Sequence, residues 1–198
     1  MKISEVSGVI LAGGSSKRMG HPKPFMEICG KRMIDIVSEK LKQIFTEVII
    51  VTDKKKDFLA AYESVKFLNC RVIEDKIKGC GPLGGIYTGI SEIDNSAFFF
   101  VACDMPNLHN ELILRLIDLT DLKRYECTVP KHSKGIEPLH AVYSRQTLPK
   151  VEKALSSGKL SLREVLANCR CKYVDVDENE ANSFININTP DNLKTLAI

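Results

Sequence analysis

The chain has no long hydrophobic run and no large excess of charge of one sign. None of its apolar stretches approaches the roughly 20 residues that a membrane helix needs, and Met1–Gly8 is too polar and too short for a secretory signal. The net charge is only +3 over 198 residues, too small to favour nucleic acid as the main partner, although a modest basic surplus suits phosphorylated small molecules. These absences predict a cytoplasmic protein with neither a membrane nor a nucleic acid as its partner.

The cysteines lack a recognisable spacing. There are seven, scattered along the chain, and an odd number argues against a closed disulfide framework. Cys169 and Cys171 form a CxC pair, but no second pair or histidine cluster accompanies it, as a structural zinc site would require. We expect buried free thiols instead, which agrees with the cytoplasm as the compartment.

Two common nucleotide-binding motifs do not occur after the first predicted strand. The chain has no GxxxxGK[ST] segment, which excludes a P-loop. The glycine-rich segment that follows the first predicted strand does not have the GxGxxG pattern, which argues against a dinucleotide-binding Rossmann site there. The chain has no internal repeat, low-complexity tract or linker. We therefore expect a single domain over residues 1–198.

Short β-branched and apolar runs alternate with amphipathic stretches, a pattern that predicts an α/β fold with a mostly parallel sheet. The run AFFFVA is apolar on both faces, as is typical of a central strand. The predicted strands are Val6–Leu11, Val48–Thr52, Arg71–Glu74, Ala97–Ala102, Cys127–Pro130, Leu139–Tyr143 and, at an edge, Tyr173–Val176, with a polar loop at His132–Glu137. The predicted helices are Ile34–Ile44, Leu83–Ile93, one through Leu112, Leu116 and Leu119, then Val151–Leu155, Leu160–Leu166 and Pro190–Leu196.

A glycine-rich segment, LAGGSSKRMGHPK, occupies Leu11–Lys23 and leaves the end of the first predicted strand. Ligands of open α/β sheets bind at the carboxyl ends of the strands. Gly13 and Gly14 allow a tight turn whose N–H groups approach phosphate oxygens, while Arg18 and Lys23 supply positive charge. Taken alone, the segment also fits a structural Gly-Gly turn with exposed basic residues.

The longer pattern LAGG-x-S-x-RMG-x-x-K resembles the opening signature of the molybdenum cofactor guanylyltransferase family. The resemblance implies a three-layer α/β sandwich, a Rossmann-like nucleotidyltransferase with a mostly parallel central sheet. It also implies that Leu11, Ala12 and Gly13 contact the nucleotide and that Lys23 reaches its phosphates. His21 and Pro22 depart from the family, in which an aspartate is frequent before that lysine.

Further nucleotide contacts are implied at the ends of the next strands. Asp53 follows the second long strand, where the family usually has Asn. Asp75 follows the third strand and matches the family, and a carboxylate there can accept from both N1–H and the 2-amino group of guanine. The segment Gly81–Ile86 resembles the GPL-x-GI segment of the family and suits close approach by a base or sugar.

Asp104 is the predicted metal ligand. It follows the AFFFVA strand in the segment Cys103–Pro106, and CD-x-P is the magnesium site of the family; magnesium prefers one or two carboxylates together with phosphate oxygens and waters. Phe184–Pro190 resembles the F-x-N-[IV]-NTP ending of the molybdenum cofactor branch. In that segment Asn188 would assist the metal, and Asn186 would orient a neighbouring loop.

The resemblance implies that a terminal phosphate of molybdopterin attacks the α-phosphorus of GTP and releases pyrophosphate, with Mg²⁺ as cofactor. Arg18, Lys23 and Asp104 would be the catalytic residues, and the C-terminal half would bind the acceptor. Proteins that deliver the cofactor to molybdoenzymes are further expected partners. His140, in this half, is open to two interpretations, a catalytic base or, without a nearby acid, a structural histidine.

Three other functions remain open. A cytidylyltransferase of the same fold more often has LAAG than LAGG, which favours guanine here. A guanylyltransferase acting on a cobamide precursor or phospholactate lacks the NINTP ending. A regulatory nucleotide-binding module would have lost catalysis, against which Lys23, Asp75 and Asp104 together argue.

Overall fold

The structure of the protein, a computed structural model, describes residues 1–13, 23–61 and 70–187. Within these residues eight strands form one sheet, and two short strands form a separate hairpin. The strands are β1 (Val6–Leu11), β2 (Glu27–Ile28), β3 (Lys31–Arg32), β4 (Val48–Thr52), β5 (Arg71–Glu74), β6 (Ala97–Ala102), β7 (Cys127–His132), β8 (Gly135–Ile136), β9 (His140–Ser144) and β10 (Cys171–Asp175).

Helices connect most of these strands. They are α1 (Met33–Lys42), α2 (Lys55–Ala61), α3 (Pro82–Glu92), α4 (Asn110–Asp118), α5 (Leu148–Ser156), α6 (Leu162–Ala167) and α7 (Glu178–Ala181). Across the described ranges, no helix combines the length and the apolar character needed to cross a membrane.

The large sheet has the strand order β10-β7-β9-β6-β1-β4-β5, with β8 paired to β7. The pairs β1–β4, β1–β6, β4–β5 and β7–β10 are parallel, and β9 is antiparallel to both β6 and β7. The chain moves from β1 outward to β4 and β5 and then returns to the other side of β1 at β6. In such sheets the strand order reverses beside β1, and ligands bind there.

Helices cover both faces of the sheet, which produces three layers. The apolar residues of α1 and α4 pack on one face, and those of α3, α5 and α6 on the other. β6 lies in the middle of the strand order and is buried on both faces. Its Phe99 stacks on Phe45 in the first layer, while Phe100 packs edge-on against Tyr143 in the second. The predicted α/β class, mostly parallel sheet and central position of AFFFVA are confirmed.

The long buried strands follow the sequence prediction most closely. The bounds of β1, β4, β5 and β6 agree with it to the residue. β1, β4 and β6 are buried along their whole length, whereas β5 is apolar only at Val72 and Ile73. The polar loop predicted at His132–Glu137 was wrong in part. β7 continues to His132 and turns into β8, because Lys131 pairs with Ile136 and Gly135 adopts a positive φ of 131°. The predicted helix Pro190–Leu196 lies outside the described residues.

Candidate active site

A cavity of about 930 Å³ lies at the carboxyl ends of the parallel strands. β1, β4, β5 and β6 all end at this edge, because they run parallel to one another. The residues that follow these four strands line the cavity: Ala12 and Gly13, Asp53, Asp75 and Asp104. Its volume lies within the range of small-molecule sites.

Backbone hydrogen bonds between neighbouring strands continue past the strand ends. They position the two acidic residues that follow β5 and β6, Asp75 and Asp104. The N–H of Asp75 donates to the carbonyl of Thr52 at 2.8 Å, and the N–H of Cys103 donates to the carbonyl of Leu11 at 3.1 Å. Asp104 therefore lies two residues past Ala102, the last paired residue of β6. Hydrogen bonds to neighbouring strands fix the backbone at this edge of the sheet. The residues that follow the strands are therefore in place before a ligand binds.

Gly13 and Asp53 lie against each other on the cavity wall. A methyl group on Gly13 would come within 2.3 Å of Oδ1 of Asp53, a distance that no pair of real atoms of this kind adopts. The absence of a side chain at Gly13 thus makes room for the Asp53 carboxylate beside the turn.

The Asp75 carboxylate is buried, with 7% of the residue exposed. Its Oδ1 accepts hydrogen bonds from the Thr88 hydroxyl at 2.8 Å and from the N–H of Ile77 at 3.0 Å. Burial raises the pKa of the Asp75 carboxyl, and the Asp53 carboxylate raises it further. The two hydrogen bonds and the Lys78 ammonium oppose this shift by stabilising the charged form.

The start of α3 brings its backbone close to Asp75. Gly81, just before the helix, has a φ of 58°, and Pro82 begins the first turn. A methyl on Gly84 would lie 2.4 Å from the carbonyl oxygen of Ile77 and 3.0 Å from Oδ2 of Asp75. Glycine at this position allows the helix to press against the strand end.

Lys23 and Asp104 form an ion pair at the opposite part of the cavity. The Lys23 Nζ and Asp104 Oδ2 are 2.9 Å apart, and the Asp104 side chain is 15% exposed. The Asp104 carbonyl accepts a hydrogen bond from the N–H of Ile187 at 2.8 Å. This bond holds the C-terminal segment beside the site, and Asn186 also lines the cavity.

One wall of the cavity comes from the C-terminal half, in which the sequence predicts the acceptor to bind. It includes Glu137 and Leu139 from the segment before β9 and Leu162 and Arg163 from α6. The Arg163 guanidinium lies over the β7–β8 turn, with a terminal nitrogen 3.5 Å from where a methyl on Gly135 would be. No spacing marks an arginine on a short helix as a cavity residue, so only the packing of α6 reveals it.

His140 is a structural residue rather than part of the cavity. It is fully buried between the rings of Phe99 and Phe184, both packed edge-on with centroids 5.1 Å away. Burial lowers the pKa of its imidazole to about 3, which keeps the ring neutral. Of the two interpretations left open by the sequence, this geometry favours the structural one.

The predicted nucleotide and metal residues that the structure describes all line this one cavity. They are Leu11, Ala12, Gly13, Lys23, Asp53, Asp75 and Asp104. Arg18 and Asn188 fall outside the described residues. The fold thus brings together side chains from the ends of four strands.

Asp104 is the one carboxylate predicted to bind a cation. In the described ranges, no group of three or more His, Cys, Asp or Glu side chains is arranged to hold a metal ion. The described lining residues include four carboxylates, those of Asp53, Asp75, Asp104 and Glu137, but only two cations, Lys23 and Arg163. A polyphosphate entering such a lining needs an accompanying cation, and one hard oxygen ligand fits magnesium, which completes its shell with phosphate oxygens and waters.

Comparisons of this chain with known proteins point to the same family. The chain matches the family described as MobA-like NTP transferase domain over residues 8–175. It is 34% identical over 194 residues to a probable molybdenum cofactor guanylyltransferase of Pelotomaculum thermopropionicum, covering 96% of this chain and 90% of that protein.

Solved structures share the fold. Molybdopterin-guanine dinucleotide biosynthesis protein A from Archaeoglobus fulgidus has a TM-score of 0.80 at 28% identity, covering 96% of this chain and 95% of that one. CMP:2-keto-3-deoxy-manno-octonic acid synthetase, solved with CTP, has a TM-score of 0.70 at 16% identity, covering 97% and 96% of the two chains. The second likeness concerns the fold alone.

Proposed function

We propose a guanylyltransferase function on one premise: this chain belongs to the MobA-like NTP transferase family, which it matches over residues 8–175. The proposed reaction transfers GMP from GTP to the terminal phosphate of molybdopterin, the molybdenum cofactor, and releases pyrophosphate. The observation that supports it is the gathering of residues 11–13, Lys23, Asp53, Asp75 and Asp104 around one cavity. We propose a single domain over residues 1–198, with the nucleotide bound by the N-terminal half and the acceptor by the C-terminal half.

The guanine base is assigned to the end of the cavity that contains Asp75. This carboxylate is buried and accepts hydrogen bonds at Oδ1, so its remaining acceptor positions are on Oδ2. Guanine has two adjacent donors, N1–H and the 2-amino group, whereas cytosine has no such pair. Asp53, across from Gly13, is the proposed partner for the ribose or the far edge of the base.

The triphosphate is assigned to Lys23 and Asp104. The backbone N–H of Gly13 and the side chain of Arg18 are proposed as further donors to the phosphates. Lys23 Nζ provides a mobile positive charge for phosphate oxygens. Asp104 would hold a magnesium ion, which supplies charge neutralisation at the phosphates. The 2.9 Å contact between the two side chains keeps the carboxylate oriented before the nucleotide binds.

The acceptor is assigned to the wall formed by Glu137, Leu139, Leu162 and Arg163. A phosphate monoester is already an anion and needs no strong general base to attack phosphorus. Catalysis then depends on alignment of the two substrates and on stabilisation of negative charge. The Arg163 guanidinium is the described cation on this wall, and it is suited to a phosphate because it donates through two nitrogens at once.

Pyrophosphate release tests the function directly. The purified protein is incubated with Mg²⁺, molybdopterin and one of GTP, CTP, ATP or UTP, and pyrophosphate and the dinucleotide product are measured. We expect release with GTP that depends on molybdopterin. Equal use of CTP and GTP would contradict the guanine assignment and support a cytidylyltransferase of the same fold, and binding of GTP without turnover would support a regulatory module.

The Asp75→Ala variant tests the base assignment in the same assay. A bidentate contact to a base typically discriminates by about 1–3 kcal/mol, so the preference for GTP over CTP should fall by roughly tenfold or more while the maximal rate changes less. Exposed Asp121 at the other edge of the sheet provides the control variant Asp121→Ala. A preference that survives in Asp75→Ala would place guanine recognition elsewhere.

A further inference from the structure

Thr88 lies beneath Asp75 on α3 and does not itself line the cavity. It is fully buried. Its hydroxyl group accepts a hydrogen bond from the N–H of Lys76 at 3.0 Å. The same hydroxyl group donates a hydrogen bond to Oδ1 of Asp75 at 2.8 Å. One hydroxyl therefore connects the helix, the turn after β5 and the carboxylate.

The directions of these bonds follow from their donors. A backbone N–H only donates, so the Thr88 oxygen accepts from Lys76, and its proton is left for Asp75. The N–H of Ile77 donates to the same Oδ1. Two donors engage this oxygen, and a carboxylate has about four lone-pair positions, so the acceptor capacity that remains is on Oδ2. Among the described residues, no hydrogen bond reaches Oδ2.

These contacts also bear on the charge of the carboxyl group. Burial raises its pKa, and the Asp53 carboxylate on the neighbouring strand end acts in the same direction. The hydrogen bonds from Ile77 and Thr88 lower the pKa, and the Lys78 ammonium also lowers it. The backbone bond to Ile77 is part of the turn, so the Thr88 hydroxyl provides the side-chain hydrogen bond that lowers the pKa of Asp75.

We propose that Thr88 is a positioning residue for base selection, which holds the Asp75 carboxylate with Oδ1 engaged and Oδ2 presented to the N1–H and 2-amino donors of guanine. The proposal rests on the guanylyltransferase function proposed above. Without the hydroxyl, Oδ1 keeps only the hydrogen bond from Ile77, so the carboxylate is held less firmly and gains a proton more easily. A protonated carboxyl loses acceptor capacity, so guanine would lose its contacts while the phosphates keep theirs.

The test compares Thr88→Val, Thr88→Ser and Thr120→Val with the unmodified protein. Valine removes the hydroxyl at similar volume, whereas serine keeps it. Thr120 is the matched control, because its buried hydroxyl donates to the carbonyl of Leu116 and contacts the hydroxyl of Thr128, away from the cavity. Steady-state rates are measured with GTP and with ITP, which keeps N1–H but lacks the 2-amino group.

In Thr88→Val we expect the KM for GTP to rise by roughly tenfold, the effect of one lost hydrogen bond to a charged group, with kcat changed by less than about twofold. The ratio of kcat/KM for GTP to that for ITP should fall. The rise in KM on acidification should begin at a higher pH. Thr88→Ser should restore most of the ratio, and Thr120→Val should leave it unchanged.

A second readout needs no nucleotide. Titration of the Asp75 carboxyl by NMR in the free protein should give a higher pKa in Thr88→Val than in the unmodified protein or in Thr120→Val. An unchanged pKa, or a GTP-to-ITP ratio equal in Thr88→Val and Thr120→Val, would overturn the role of Thr88. An unmodified enzyme without any GTP preference would instead overturn the guanylyltransferase function, and the guanine role of Thr88 with it.

Discussion

Two charged side chains of the cavity that are distant in the sequence form an ion pair. Lys23 and Asp104 are 81 residues apart and meet at 2.9 Å. An exposed pair of this kind contributes little to stability, but here the carboxylate is mostly buried and faces a cavity. We interpret the pair as a preformed arrangement for phosphate and cation binding rather than as a stabilising bridge.

Asp104→Asn should leave the fold intact and remove most of the turnover. The change keeps the shape of the side chain but removes the charge that holds a cation, and loss of one such electrostatic contact typically costs about 10²–10³ in kcat. Rates are measured across Mg²⁺ concentrations, with circular dichroism to check folding. Asp94→Asn, an exposed acid just before the other end of β6, serves as the control. An unaltered rate and Mg²⁺ dependence in Asp104→Asn would show that the metal assignment is wrong.

Lys23→Ala should weaken GTP binding and slow transfer. Removal of a charged donor to phosphate costs about 1.5–3 kcal/mol, so kcat/KM should fall by roughly ten- to a hundredfold. Lys123→Ala, on an exposed turn before β7, is the matched control. The double variant with Asp104→Asn should lose less than the product of the single effects, since the two side chains contact each other. Kinetics identical to those of the control would move Lys23 out of the site.

At the level of elements, α3 determines how closely the helical layer approaches Asp75 in the cavity lining. Gly84 faces Asp75 and the Ile77 carbonyl, whereas Gly89, further along the same helix, faces the ring of Phe100, with a methyl there 2.7 Å from Cε1. Both glycines therefore permit close packing, but only Gly84 faces a residue of the cavity lining, Asp75.

This difference gives a test with an internal control. Gly84→Ala and Gly89→Ala should each destabilise the fold by about 1–3 kcal/mol through overpacking, measured by urea unfolding. Only Gly84→Ala should also raise the KM for GTP, because its methyl group would displace the turn that holds Asp75. Equal KM values for the two variants would indicate that the pocket does not depend on the position of this turn.

At the scale of the whole molecule, Glu126 connects the start of β7 to the residue before β10 and to α5, at the end of these strands remote from the cavity. It directly precedes β7, and its carboxylate, 8% exposed, accepts from the N–H of Arg170 at 2.9 Å and from the Lys150 ammonium on α5. Burial raises the pKa of this carboxyl, but the backbone N–H of Arg170 and the charge of Lys150 pull it below its ordinary value. The ionised form is therefore stabilised by folding.

Glu126→Gln should lower the free energy of unfolding by about 1–3 kcal/mol at pH 7. A lowered pKa in the folded state means that this contribution is complete above the unfolded pKa, about 4.3, and is lost as the pH falls through the folded value. The difference between the variant and the unmodified protein should thus shrink below pH ~4.3. Urea unfolding from pH 7 to 3 measures it, with Glu152→Gln on the exposed face of α5 as the control. A difference that does not vary with pH would contradict the charge-based explanation.

The sequence by itself determined the parts of the protein that depend on local patterns. β1, β4 and β6 are mostly apolar runs and β5 has an apolar centre, and each is followed by turn residues, so their bounds could be predicted. Because parallel strands share one carboxyl edge, the residues after them, among them Asp75 and Asp104, could be predicted to meet. The family followed from the motifs at these same positions, since a Gly-rich turn and strand-end acids have fixed spacing along the chain.

Only the tertiary structure decided which of these groups touch and what surrounds them. The contact of Lys23 with Asp104, the hydrogen bond of Thr88 to Asp75 and the place of Arg163 in the cavity lining follow from how helices pack on the sheet. The same is true of His140, whose burial between two phenylalanine rings removes it from the site. No local pattern specifies such contacts, because they join residues far apart in the chain, and their distances are set by the volume and shape of all the side chains packed between the layers.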